Sequence, residues 1–118
     1  MHHNFRELEI WKESKDLSIQ IYKITQTFSK QEVYGIVSQI CRASVSIPSN
    51  IAEGSGRNSN KDFSRFINIA LGSSFELETQ LIIALELEYI SKEDFENLIN
   101  NLQMIQRKLS GFNKYLQK

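Results

Sequence analysis

The stretch Lys92–Lys118, KEDFENLINNLQMIQRKLSGFNKYLQK, decides the fold. Its apolar residues Phe95, Leu98, Leu102, Ile105, Leu109, Phe112 and Leu116 alternate three and four positions apart without a break. That spacing puts all of them on one face of a helix. A seven-residue repeat held this long is the pattern of a helix packed on its neighbours at a shallow crossing angle. Ser91 followed by Asp94 reads as the N-cap and first turn, and Ile90 with Phe95 has the spacing of a hydrophobic staple. One such helix cannot bury its stripe alone, so the rest of the chain must supply partners.

Working back toward the N-terminus, Ser59 and Asp62 repeat the capping signature. They open a stripe of Phe63, Phe66, Ala70, Ser73, Leu77, Leu81 and Ala84, a helix over about 60–88 that is about 40 Å long at ~1.5 Å per residue. Gly72 falls inside it, where glycine costs ~1 kcal/mol relative to alanine, so close approach of a neighbouring helix is expected there. Ser55-Gly56-Arg57-Asn58-Ser59-Asn60 is the most loop-like stretch. Before it, Val33, Ile36, Ile40, Ala43, Ile47 and Ile51 mark a helix over about 31–53 that contains Pro48. An interior proline either ends a helix or kinks it; because Ile47 and Ile51 keep phase, the expectation is a kink, with Gly54 as a left-handed C-cap. The first helix spans about 5–28, on Ile10, Ser14, Leu17, Ile21, Ile24 and Phe28, with Asn4 and Glu7 as a capping box and Trp11 widening the stripe.

Four amphipathic helices joined by short connections read as one all-α domain over residues 1–118, an up-down-up-down antiparallel four-helix bundle with helix two kinked at Pro48. The composition agrees with a single domain: 118 residues, 41% hydrophobic, and 14 basic against 14 acidic side chains. Net neutrality argues against a surface that grips nucleic acid everywhere, and leaves room for a local basic patch. The lone Cys41 excludes an internal disulfide. No run approaches the ~20 apolar residues of a membrane span, and the N-terminus lacks signal-peptide character, so the cytoplasm is the expected location and no membrane the expected partner.

Catalytic motifs are lacking. His2 and His3 are the only histidines and sit at a terminus expected to be unstructured, where they could bind a metal only weakly, and no Glu-x-x-His pair marks a carboxylate metal centre. Cys41 reads as a buried inert thiol. The expectation is a protein that is not an enzyme and needs no cofactor or metal.

The residues Arg42-Ala43-Ser44-Val45-Ser46-Ile47-Pro48-Ser49-Asn50-Ile51-Ala52-Glu53-Gly54, then Arg57, Asp62-Phe63, Phe66, Ala70, Gly72-Ser73 and Glu76-Leu77, together resemble the bacterial 23S rRNA intervening-sequence proteins. Leu8, Trp11, Tyr34-Gly35, Gln39 and Gly111 extend the likeness over nearly the whole chain, and SIPSNIAEG (Ser46–Gly54) is its most specific part. The resemblance implies a four-helix bundle, a homopentamer and no established catalytic activity. A related branch, the accessory variability proteins of diversity-generating retroelements, also implies pentamers and nucleic acid as partner. The chain departs from many relatives, which carry a basic residue where it has Cys41 and often another near Leu71, so the resemblance implies weaker RNA binding here.

Two sets of residues are singled out. Arg42, Ser46, Asn50, Glu53, Gly72 and Glu76 form a polar, small-residue surface expected to serve structure or subunit contact ahead of ligand binding. Arg57, Lys61 and Arg65 around the second connection, with Arg107, Lys114 and Lys118 on one face of helix four, are candidates for phosphate contacts. Gly54-Ser55-Gly56 resembles a backbone anion cradle, although a helix stop is the better reading. Three helix-four cations repeated five times would put about fifteen positive charges on one face of a pentamer, enough for salt-dependent RNA binding. An acidic stretch (Glu76, Glu78, Glu86, Glu88, Glu93, Asp94, Glu96) would make the assembly bipolar. The leading expectation is a non-catalytic homopentameric accessory protein with RNA or other nucleic acid as partner; the alternative is a protein-interaction scaffold with no nucleic-acid affinity.

Overall fold

A computed structural model describes residues 3–28 and 34–118. The stripes read from the sequence close on one another: α1 (Glu9–Thr25), α2 (Tyr34–Ser55), α3 (Asn60–Glu86) and α4 (Lys92–Leu116) pack in sequence order, and α4 returns to α1. The result is an all-α four-helix bundle 47 Å long and 20 Å across, with no strand among the described residues. Leu17 and Ile21, then Ile40, Ile47 and Ile51, then Phe63, Ile67, Leu77 and Leu81, and finally Leu98, Leu102, Ile105 and Leu109 are all buried in the shared core. Each contributes on the order of 1.5–3 kcal/mol by leaving water. No helix among the described residues is long and apolar enough to cross a membrane.

Between neighbouring helices, polar side chains pair across the contact. Ser18 meets Ser44 at 3.1 Å, Ser46 meets Ser73 at 2.8 Å, and Glu78 accepts from Gln106 at 2.9 Å. Lys108 of α4 crosses to Glu13 of α1 at 2.6 Å.

The N-caps of the last two helices stand as read. Ser59 accepts from the Asp62 N–H and Ser91 from the Asp94 N–H, each at 3.1 Å. The first helix differs. Asn4 caps a separate 3-10 turn, Phe5–Glu7, by accepting from Arg6, and an extended Leu8 intervenes before α1 starts at Glu9. Val33 and the expected start of helix two lie outside the described residues.

The helix ends correct the reading of glycine. α2 continues through Pro48 to Ser55, and no described glycine has a positive φ, so Gly54 is not a left-handed cap. Its role is steric: an added Cβ would lie 2.7 Å from both Phe63 Cδ1 and Phe66 Cβ. The left-handed residue is Glu88, φ 64°, which ends α3 with Tyr89 N–H on Ala84 O at 2.9 Å and Glu88 N–H on Leu85 O at 3.0 Å. Those paired bonds form a Schellman cap, normally built on glycine. Glu88→Gly is therefore expected to stabilise the bundle by about 1 kcal/mol, since a side chain in this conformation carries a steric cost that glycine lacks. A denaturant midpoint equal to or below the parent's would contradict that account.

Candidate functional site

Two surfaces collect the candidate residues. The first lies where α3 begins. The connection after α2 and the first turns of α3 enclose an open hollow of about 660 Å³ lined by Arg57, Lys61, Asp62 and Arg65 among others. Beside it, α3 and the last turn of α4 frame another of about 450 Å³, lined by Lys61, Ser64, Gln117 and Lys118. Polar pairs hold these ends together: Ser64 donates to Asn113, whose amide donates to Asn68 at 3.0 Å, and Gln117 donates to Ser64 at 3.4 Å. Lys61 thus joins cations that are far apart in sequence.

The four cations there are not equivalent. Arg57 donates to Glu53 at 3.0 Å, and Arg65 makes two bonds to Asp62 at 3.0 and 3.1 Å. Both guanidinium groups also rest over the Phe66 ring, 4.6 and 4.8 Å from its centroid, a favourable cation–π placement. Lys61 and Lys118 are exposed and make no ion pair with described residues. Arg107 and Lys114 are exposed on the outer side of α4 and line neither hollow; they sit two helical turns apart, about 10 Å. The backbone N–H groups after Gly54 do not form an anion cradle, because Gly56 donates to Glu53 O and Arg57 to Gly54 O.

His3 corrects the expectation of an unstructured terminus. Its N–H donates to Ser55 O at 3.1 Å, and its ring packs against Phe63 and Phe112, 5.1 and 6.2 Å between centroids. His2 lies outside the described residues.

The second surface is the outer groove between α2 and α3, an open hollow of about 470 Å³ lined by Gln39, Arg42, Ala43, Ser46, Glu76 and Gln80. Arg42, Ser46 and Glu76, all read from the sequence as part of a contact surface, meet there. Ser46 and Asn50 are committed within the chain: Ser46 bonds Ser73, and the Asn50 amide donates to Ser46 O at 2.8 Å and Oγ at 3.0 Å. Glu53 holds Arg57. Gly72 departs from expectation, since a Cβ built on it meets nothing within 4 Å and no described helix approaches it. Arg42 and Glu76 are exposed, opposite in charge and outside any ion pair with described residues.

Gln80 is invisible in the sequence, where an interior helix glutamine carries no signal. It is 8% exposed, and its Oε1 is shut off from solvent with no hydrogen-bond partner among the described residues. Phe66 is legible only as a core residue; its use as a platform for two arginines depends on the turn between α2 and α3. At the other end of α3, Glu86, Glu88, Glu93, Asp94 and Glu96 gather around the connection to α4, while Glu78 turns to Gln103 and Gln106. The bundle therefore has a basic and an acidic end.

Among the described residues no group of three His, Cys, Asp or Glu side chains is placed to hold a metal. Cys41 is buried, 3.7 Å from the Thr25 hydroxyl.

No curated protein matches the chain. Among solved structures, it is similar to a protein of unknown function from the S23 ribosomal protein family of Bacteroides thetaiotaomicron, with 28% identity and a TM-score of 0.83 over 89% of this chain and 98% of that one. The sequence pattern of the family described as 23S rRNA-intervening sequence protein matches residues 6–111, which takes in all four helices nearly to the end of α4. With the bundle, the Ser46–Gly54 segment and this match in agreement, the chain belongs to the 23S rRNA-intervening sequence protein family.

Proposed function

We propose that the protein is a non-catalytic, self-assembling accessory or scaffold protein, a homopentamer, that holds RNA through its phosphate backbone. The observation that carries the RNA reading is the juxtaposition of Lys61 and Lys118, exposed lysines from α3 and α4 with no ion pair among the described residues, at the end where Arg57 and Arg65 also lie. Side chains of this kind contact phosphates without reading bases, so binding is electrostatic and weakly sequence-specific. Repetition around a ring multiplies the charge, and the pentamer itself rests on the resemblance to the family. Arg107 and Lys114 extend the same charge along α4.

The test is a salt titration of binding to a structured RNA. Lys61→Ala with Lys118→Ala is expected to weaken binding and lower the slope of log K against log salt by about one for each phosphate that the variant no longer neutralises. Binding that ignores salt, or a double variant as tight as the parent, would sink the phosphate-contact reading.

A second reading, a protein-interaction scaffold without nucleic-acid affinity, draws on the intrachain commitment of Arg57 and Arg65 to Glu53 and Asp62 and on zero net charge. A pentamer that ignores RNA at low salt would favour it.

A further inference from the structure

α3 carries two stripes. The first faces the core; the second, Ile69, Ser73, Glu76, Gln80 and Ile83, keeps the same four-three spacing along the edge that borders α2. Its register is fixed by the Ser46–Ser73 bond and by the lining of the α2–α3 hollow. Its ends stay open to solvent, since Ile69 is 44% and Ile83 45% exposed. In its middle the buried Gln80 Oε1 has no donor among the described residues, and a buried carbonyl oxygen in that condition calls for one. The facing edge of α2 supplies Gln39, Ala43 and Ser46, uncharged side chains that leave the groove open, and the exposed cation Arg42, which the exposed Asp16 beside Lys15 on α1 can answer.

α1 presents a stripe of matching form. Ser18 faces α2, and Leu17 and Ile21 enter the core, which leaves Lys12, Lys15, Ile19 and Tyr22 along the outer side. Ile19 and Tyr22 are 47% and 45% exposed. On α3 the apolar Ile83 follows the acidic Glu76 by seven residues; on α1 Ile19 follows Lys12, and Tyr22 follows Lys15, by seven as well. Two helical turns, about 10 Å, therefore separate an apolar contact from a charge on both helices, with opposite signs. Lys12 has no ion pair with described residues, and Lys15 pairs with its exposed neighbour Asp16, a pair of small worth, and lies over the Trp11 ring, 5.7 Å from its centroid.

We infer that the α2–α3 groove of one copy receives the outer edge of α1 from a second copy, α1 running parallel to α3, with Ile19 and Tyr22 over Ile83 and Lys12 or Lys15 at Glu76 beside the donor-less Gln80. This rests on the self-assembly proposed above and names the surfaces that perform it. The contact joins two different patches, so each subunit offers one groove and one edge and the interface is heterologous.

A heterologous contact makes a distinctive prediction for paired variants. Ile83→Glu disables the groove and Tyr22→Glu the edge; both sites are exposed, and unchanged helicity with a cooperative thermal transition will confirm that each variant folds. Each alone is expected to run as a monomer of 13.7 kDa. Mixed in equal amounts, they are expected to form a 1:1 heterodimer of about twice that mass and nothing larger, because each retains one intact surface. If the parent assembles but either variant keeps the parent's mass, or the mixture stays monomeric, this interface is wrong while self-assembly stands. A monomeric parent at working concentration would overturn both.

Discussion

Phe63→Ala is expected to cost the fold about 3–5 kcal/mol, the range for removing a buried aromatic side chain and leaving a cavity. Phe63 is 1% exposed, stacks edge-on against Phe112 with 5.3 Å between centroids, and carries the His3 ring on another side. It also fills the space that Gly54 leaves open. The loss spreads over three elements, α2, α4 and the N-terminal segment, so little local collapse can refill the void. Urea unfolding monitored by circular dichroism will check it. A midpoint shift equivalent to less than about 1 kcal/mol would mean that this end of the bundle is far looser than its packing indicates.

Gly54→Ala and Gly111→Ala should move stability in opposite directions. Both glycines are inside helices, where alanine is favoured by about 0.8–1 kcal/mol on propensity alone. At Gly111 a Cβ meets nothing within 4 Å, so that gain should be realised. At Gly54 the Cβ would lie 2.7 Å from Phe66 Cβ, an atom fixed by its own backbone, and 2.7 Å from the Phe63 ring. Relief requires α2 and α3 to separate, and overpacking of this kind typically costs about 1–3 kcal/mol. The net expectation is a clear fall in melting temperature for Gly54→Ala and a rise for Gly111→Ala. Equal signs would show that the approach of α2 to α3 is not tight.

The same region shows how far sequence carries. In the chain, Gly54 looks like a helix stop because glycine readily takes left-handed backbone conformations. Its real role, admitting two phenylalanines of another helix, depends on how α2 lies against α3, which no local pattern encodes. Conversely Gly72, which invites a close helix neighbour, faces open space within the described chain. Glu88 takes the left-handed position without any local signal because the Schellman bonds from Tyr89 and Glu88 to the end of α3 hold it there.

The candidate sites are legible in their charges and not in their geometry. Arg57, Lys61 and Arg65 are close in sequence, but their meeting with Lys118 requires α4 to finish beside the start of α3. In the sequence Arg57 and Arg65 read as candidate phosphate contacts; in the fold Phe66, Glu53 and Asp62 engage them. Gln80 gains significance only through a burial that leaves its oxygen without a donor among the described residues.

By itself, the sequence determined that this protein is four amphipathic helices around one core, because each three-and-four repeat makes an apolar stripe that is buried only against the stripes of the others. It also determined the N-caps at Ser59 and Ser91 and the family, which sit in short contiguous stretches. The tertiary structure alone decided which residues meet across helices: the basic end, the polar groove between α2 and α3, and the second stripe on α3. These depend on the rotation of each helix about its axis and on its offset along its neighbour. Both are set by the sum of many buried contacts and by no single local signal.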